Sequence, residues 1–431
     1  MKKTLLFAGF ITMLIACNNK NKDNEMKVVV NTPTVQDILS GNDFSRINGV
    51  YNNVYIDNYT SLFTRDGEVT VSFSGQTTRL KQAKEIGENL NTNVAVADIQ
   101  LKFEGEDVNG SLQSAGFSEA SLNGTTRIVR SKTSASIGLF NKTNGSGQGA
   151  TNVAEFDAYI SRHQAIIDNW FTPAASRQAG TFLDSDGSIR YVDAKGFELD
   201  QLFTKGLVGA LVYDQAVNHY FNRLDDEYNG SNNYRTENEE GTPKEGESYT
   251  TMEHHWDEAF GYIYGNITGQ NLIYKYIDNV DALQKFTGTE RQILEAFVKG
   301  RIAIVEKDYS TRDTQIAILR EKLGLVIAVR AVHYLGGGVK LLRDLAEDAP
   351  ERTNAFHDLS EGYGFVNSLR YIVDANGTRY FTDVEVDGYI ATLEANNGLW
   401  SVNPDDLVDI ADEIAAKSVG GSSWTYRHVL Q

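Results

Sequence analysis

Apolar side chains recur at helical spacing over most of this chain. Phe156, Tyr159, Ile160, His163, Ile166, Ile167 and Trp170 mark one face of a helix that Pro173 stops. Leu202, Phe203, Leu207, Ala210, Tyr213 and Val217 repeat the pattern, as do Leu294, Phe297, Val298 and Ile302, and then Ile316, Leu319, Leu323, Val326 and Ile327. Stripes of this kind must be buried against one another, so the pattern predicts a mainly all-α fold of helical-bundle type.

The pattern lapses locally. In residues 51–75, Tyr, Asn, Thr and alternating Val, as in Val69-Thr70-Val71-Ser72-Phe73, predict extended or irregular chain before the helices begin at Gln76. Residues 225–248 offer no apolar face and read as a long acidic loop joining two halves, 34–224 and 249–431, of one helical domain. Asp184-Ser185-Asp186-Gly187-Ser188-Ile189-Arg190-Tyr191-Val192 opens like a calcium loop, but Lys195 stands where the bidentate glutamate is required. It reads instead as a turn between two short strands, a small β-hairpin insertion. Val373-Asp374-Ala375-Asn376-Gly377-Thr378-Arg379-Tyr380 resembles it, a weak sign of internal duplication.

The N-terminus changes the picture. Met1-Lys2-Lys3 precedes an apolar stretch, residues 4–16, too short to span a bilayer and typical of a signal peptide. It ends in Leu14-Ile15-Ala16-Cys17, a lipobox whose cysteine is the only one in the chain. An intrachain disulfide is thereby excluded, and Cys17 is the expected lipidation site. Residues 18–25 are wholly polar, so 17–33 is expected to be a disordered tether, with folded structure from about Thr34. No other apolar run approaches the ~20 residues needed to cross a membrane, so attachment rests on Cys17. The expected place is the cell envelope, at the outer membrane, facing the periplasm or the exterior.

With 58 acidic and 40 basic side chains the net charge is −18, which opposes binding to nucleic acid or to an anionic membrane surface and favours cations. The 41% hydrophobic content suffices for one large core or two smaller ones.

The densest chemistry is Glu253-His254-His255-Trp256-Asp257-Glu258. Thr250-Thr251-Met252-Glu253 fits a capping box at a helix start. Along that helix His255 lies three residues before Glu258 and His254 four, so either imidazole can neighbour the carboxylate. The helix N-terminus disfavours imidazolium and keeps a lone pair available. Two readings are open: a metal platform, or a packed face with Trp256 and Phe260 holding a satisfied histidine. Glu253 is likewise open between cap and ligand. His357 and Glu361 repeat the four-residue spacing, and Gly362 and Gly364 beside them suggest close approach of a neighbouring helix or of a ligand. His163, His219 and His333 lie among core-forming residues, and His428 near the C-terminal end. There is no His-Glu-x-x-His helix, no Gly-x-Ser-x-Gly elbow and no cysteine left for a nucleophile, and Gly336-Gly337-Gly338 lacks phosphate-loop spacing.

Phe73-Ser74-Gly75-Gln76-Thr77-Thr78-Arg79-Leu80, the run 201–210, the run 252–261 and the run 357–370 resemble DUF4856, a group of envelope lipoproteins similar to the imelysin family. Imelysin-like proteins carry a Gly-x-His-x-x-Glu signature. The resemblance maps its histidine onto His255 and its glutamate onto Glu258, with Glu253 in the glycine place. It implies two helical bundles related by pseudo-symmetry, the signature near their interface, and a role in iron uptake. The expectation is a lipoprotein that binds a metal ion or metal chelate, with iron or zinc as the metal, through His255 and Glu258. His254, Glu253, His357 and Glu361 are further candidate ligands, no residue is assigned a catalytic role, and an outer-membrane receptor or other envelope protein is the expected partner. The alternatives are a metal-dependent hydrolase of the imelysin peptidase type, with Glu258 or Glu361 as base, and a structural or receptor-accessory lipoprotein without metal.

Overall fold

The computed structural model describes residues 28–40, 54–137, 139–140, 148–226, 232–265 and 272–430. Cys17, the expected signal peptide and most of the expected tether lie outside them. The helices are α1 (Val35–Leu39), α2 (Val54–Leu62), α3 (Ser74–Asn89), α4 (Val96–Glu104), α5 (Val129–Lys132), α6 (Gln148–Asp168), α7 (Leu199–Leu207), α8 (Tyr234–Glu240), α9 (Thr251–Tyr264), α10 (Tyr274–Asp281), α11 (Thr289–Glu306), α12 (Tyr309–Leu342), α13 (Phe356–Ser368), α14 (Asp383–Glu394) and α15 (Pro404–Lys417). A π-helical stretch, Val208–Tyr220, continues α7. The strands β1 (Val30–Asn31), β2 (Thr64–Arg65) and β3 (Glu68–Val69) form an antiparallel sheet, with Val30 opposite Arg65 and Thr64 opposite Val69. Two hairpins complete the strands: β4 (Glu106–Val108) with β5 (Ser111–Gln113), and β6 (Gly180–Leu183) with β7 (Ile189–Val192). The fold is mainly helical with small antiparallel insertions, as the periodicity predicts.

The two Asp-rich stretches form turns. Asp184 accepts from the Ser185 amide at 2.6 Å and from Arg190 Nε at 3.0 Å, while Gly187 takes φ +85° between β6 and β7. Asp374 accepts from the amides of Asn376 and Thr378, both at 2.9 Å, with Gly377 at φ +86° and Val373 bridged to Arg379. Each aspartate is spent on its own turn.

At the centre lies α12, which packs against α10, α11, α13 and α15, while α13 also packs on α7. The α9 helix packs on the π-helical stretch, α3 and α11. Trp256 on α9 is fully buried and donates from Nε1 to the Phe297 carbonyl at 3.0 Å. Gly300 makes room for it, since a Cβ there would fall 2.1 Å from the indole.

The buried apolar residues form one continuous cluster from Ile38 to Val429. Four expectations change. Residues 51–75 are not all extended or irregular, because α2 occupies Val54–Leu62. Residues 225–248 are not all loop, because α8 lies within them. Its Asn238 side chain donates to the Ile304 carbonyl at 2.9 Å and to the Tyr309 hydroxyl at 3.1 Å, so a polar contact anchors α8 where no apolar face exists. Ordered structure begins before Thr34, because β1 pairs with β2. Finally, α12 is long and apolar enough to cross a membrane, but 78% of its most apolar window is buried within the protein, as befits a core helix.

Candidate functional site

The capping box forms as the sequence predicts. Thr250 Oγ1 accepts from the Glu253 amide at 3.3 Å, and Glu253 Oε2 accepts from the Thr250 amide at 2.7 Å. The same carboxylate also receives Arg65, through Nη1 to Oε2 at 2.9 Å and Nη2 to Oε1 at 3.2 Å, and Arg301 Nη1 to Oε1 at 3.1 Å. Burial alone would raise the Glu253 pKa, but Arg301 and Arg65 outweigh it and hold the group below the usual range. Both oxygens are occupied, which answers the question the sequence left open: Glu253 is a cap and an ion-pair partner.

Asp257, one turn on, joins this network. Its Oδ1 accepts from Arg301 Nε at 3.0 Å and from the Tyr59 hydroxyl at 2.7 Å. Burial pushes its pKa up to about 7 against the pull of Arg301. Arg301 also donates to Thr70 Oγ1 at 3.0 Å, so the network ties α2, the chain after β3, α9 and α11 together.

The opposite side of α9 carries the other candidates. His254, one α-turn before Glu258, is the imidazole that meets it, with Nε2 3.7 Å from Oε2. The His254 ring stacks on Tyr249 at 4.5 Å and lies beside the Ser72 backbone. The second oxygen of Glu258, Oε1, accepts from Gln76 Nε2 at 2.9 Å and from the Tyr220 hydroxyl at 3.1 Å, which fixes the carboxylate plane. His255 points its Nδ1 at the Arg223 carbonyl, 2.8 Å away, and its ring lies 5.9 Å from that of Tyr220. A carbonyl can only accept, so Nδ1 carries the proton and Nε2 the lone pair. Burial, with the Arg223 charge nearby, pushes the His255 pKa down to about 4.

The second motif is divided between two partners. His357 Nδ1 lies 3.2 Å from both oxygens of Glu198, which outweighs burial and raises the imidazole pKa. Glu361 pairs with Lys205 Nζ at 2.9 Å. Burial would raise its pKa, but Lys205 and His357 push it down to about 2. Gly362 and Gly364 are explained by close helix approach: a Cβ on Gly364 would fall 2.5 Å from Lys205 Cβ, and one on Gly362 3.2 Å from Tyr334 Cβ. Lys205 in turn faces a cleft of about 360 Å³, whose walls include Lys84, Glu88, Asp200, Lys275 and Tyr276.

The six candidate ligands therefore do not converge. Among the described residues, no group of three or more His, Cys, Asp and Glu side chains is placed to hold a metal ion. Gln76 and Tyr220, which hold Glu258, carry no spacing signal toward it, although Gln76 falls in the segment 73–80.

The family model described as a domain of unknown function, DUF4856, matches residues 58–419. The chain belongs to the DUF4856 family. Comparison with curated proteins and with solved structures finds no match. In this DUF4856 protein, the match spans both α9 and α13, and with them every candidate ligand.

Proposed function

We propose that this protein is a lipid-anchored envelope protein that binds a metal presented in a small chelate. The observation that carries the reading is the setting of Glu258: Oε1 is held by Gln76 and Tyr220, leaving Oε2 facing His254 Nε2 at 3.7 Å. His255 supports it, since an imidazole that donates one nitrogen to a backbone carbonyl keeps the other as a fixed donor lone pair, the usual arrangement behind a metal-ligating histidine. His254 and Glu258 supply two donors together, and no third His, Cys, Asp or Glu among the described residues is placed to complete a group with them. Protein sites that hold zinc alone use three or four, and iron takes more, so the remaining positions fall to the chelator. Carboxylate and imidazole favour iron or zinc over a soft metal. Glu253 and Glu361 take no part, because Arg65 and Arg301 hold the first and Lys205 the second.

Protein purified without chelators or a nickel column should carry about one iron or zinc per chain by elemental analysis, as a single site requires. The triple variant His254→Ala, His255→Ala, Glu258→Ala should carry none. Metal-free native protein, or metal undiminished in the variant, would overturn the reading. The anchor is tested separately: Cys17→Ser should abolish incorporation of labelled fatty acid and release the protein from membranes.

A further inference from the structure

The α3 helix opens without a capping side chain. Phe73 holds the N-cap position, and the first turn contains no acidic residue. The amides of Gln76 and Thr77 both donate to the Phe73 carbonyl, at 3.1 and 3.2 Å. Those of Ser74 and Gly75, at the very start of the helix, have no acceptor within it. A bare helix start is common and proves little; the charge gathered over this one is not.

A Cβ on Gly75 would lie 3.5 Å from Arg127 Nε and 3.7 Å from Arg79 Nη1, so both guanidinium groups stand over the same turn. Arg79 is only 9% exposed, and its Nε is buried without a hydrogen-bond partner. Its guanidinium lies beside the Tyr262 hydroxyl. Among the described residues, no carboxylate forms an ion pair with Arg79 or Arg127. Of the other buried arginines, Arg65, Arg301, Arg312 and Arg370 each face at least one carboxylate, Arg352 donates to the Leu399 and Val402 carbonyls, and Arg330 stands over the Tyr276 and Tyr334 rings. Arg79 and Arg127, side by side over one helix start in a chain of net charge −18, are open to an anion from outside.

We infer that the first turn of α3 binds a small oxyanion, a carboxylate or a phosphate, through Arg79 and Arg127, and that this anion is an acid group of the metal-carrying chelate. Guanidinium forks match the paired oxygens of such groups, and the amides of a helix start add aligned donors. Gly75 has no side chain to fill the approach, and Ser74 is exposed. Gln76 connects this turn to the metal-facing group, because its side chain holds Glu258. The α3 start and Glu258 are thus neighbours on either side of one side chain. The link to the chelate rests on the proposed function; the oxyanion site does not.

The test is calorimetric titration of the full chain, stripped of metal, with citrate and separately with inorganic phosphate. Citrate should bind to the native protein, and Arg127→Gln should weaken it by about tenfold or more, the effect of one lost charge-assisted hydrogen bond. Should Arg79→Gln fail to fold, Gly75→Asp takes its place. That variant supplies a carboxylate within the chain, so it should raise the melting temperature and abolish citrate binding. Failure of both anions to bind, or binding unaltered in Arg127→Gln and Gly75→Asp, would overturn the site. Phosphate bound without citrate would keep the site and overturn the chelate assignment. Metal carried by a protein that binds neither citrate nor phosphate overturns this inference and leaves the metal site standing, whereas citrate bound by a protein that never carries metal overturns the metal site and leaves the oxyanion site standing.

Discussion

Arg301 donates from Nε to Asp257 Oδ1 at 3.0 Å, with both side chains wholly buried. The same guanidinium reaches Glu253, so one cation serves two carboxylates on α9. Replacing it by methionine would leave two acids in the core with only Arg65 to compensate. Removing one partner of a buried pair costs about 3–5 kcal/mol. Arg301→Met should lose about that much stability in urea titration. The loss should be smaller at pH 5 than at pH 8, because Asp257, already pushed up to about 7, can then take a proton. A variant as stable as the native protein would show that the network contributes nothing.

Acid should act through Glu361. Its pKa is pushed down to about 2 in the fold, so the unfolded chain binds the proton more readily than the native one. The stability contributed by the Lys205 pair is therefore complete above the ordinary carboxylate range and is lost as pH falls from there through about 2. Glu361→Gln should flatten this part of the pH–stability curve, measured by thermal melts at stepped pH. It should also lower stability at pH 7 by about 3 kcal/mol or more, since Lys205 is left buried and unpaired.

Two glycines should respond to alanine with opposite sign. At Gly364 a Cβ would meet Lys205 Cβ at 2.5 Å and the Gln201 carbonyl at 3.0 Å, so α7 and α13 would have to part. Overpacking of this kind costs about 1–3 kcal/mol. Gly388 lies exposed within α14 with nothing within 4 Å of its would-be Cβ. Alanine there should add about 0.5–1 kcal/mol by helix propensity. Chemical denaturation of the two variants, side by side, checks both signs.

Much of this arrangement was legible in the sequence because its signals are local. The 3.6-residue stripes on α6, α7, α11 and α12 mark faces that are indeed buried, and Thr250 with Glu253 marks the start of α9. Gly362 and Gly364 announced close packing, and Asp184 to Gly187 announced a turn. What stayed hidden depends on distant partners. Arg65 and Arg301 claim Glu253 from 188 and 48 residues away, and nothing around Glu253 distinguishes that from a ligand. The choice of His254 over His255 as the neighbour of Glu258 is made by the Arg223 carbonyl, which draws the His255 ring aside. Arg79 and Arg127 belong to two stretches of chain with no shared spacing, so their convergence over Gly75 exists only in the fold.

The 34 residues of α12 make a rod about 50 Å long at the helical rise of 1.5 Å per residue. Because α10, α11, α13 and α15 all lean on that rod, chain from on and after it cannot be parted without stripping apolar surface bare. A frameshift or internal cut in the second half would thus leave no free-standing remnant: the first half, deprived of the rod, should fail to fold alone, because the apolar faces it turns toward α12 would be left in water.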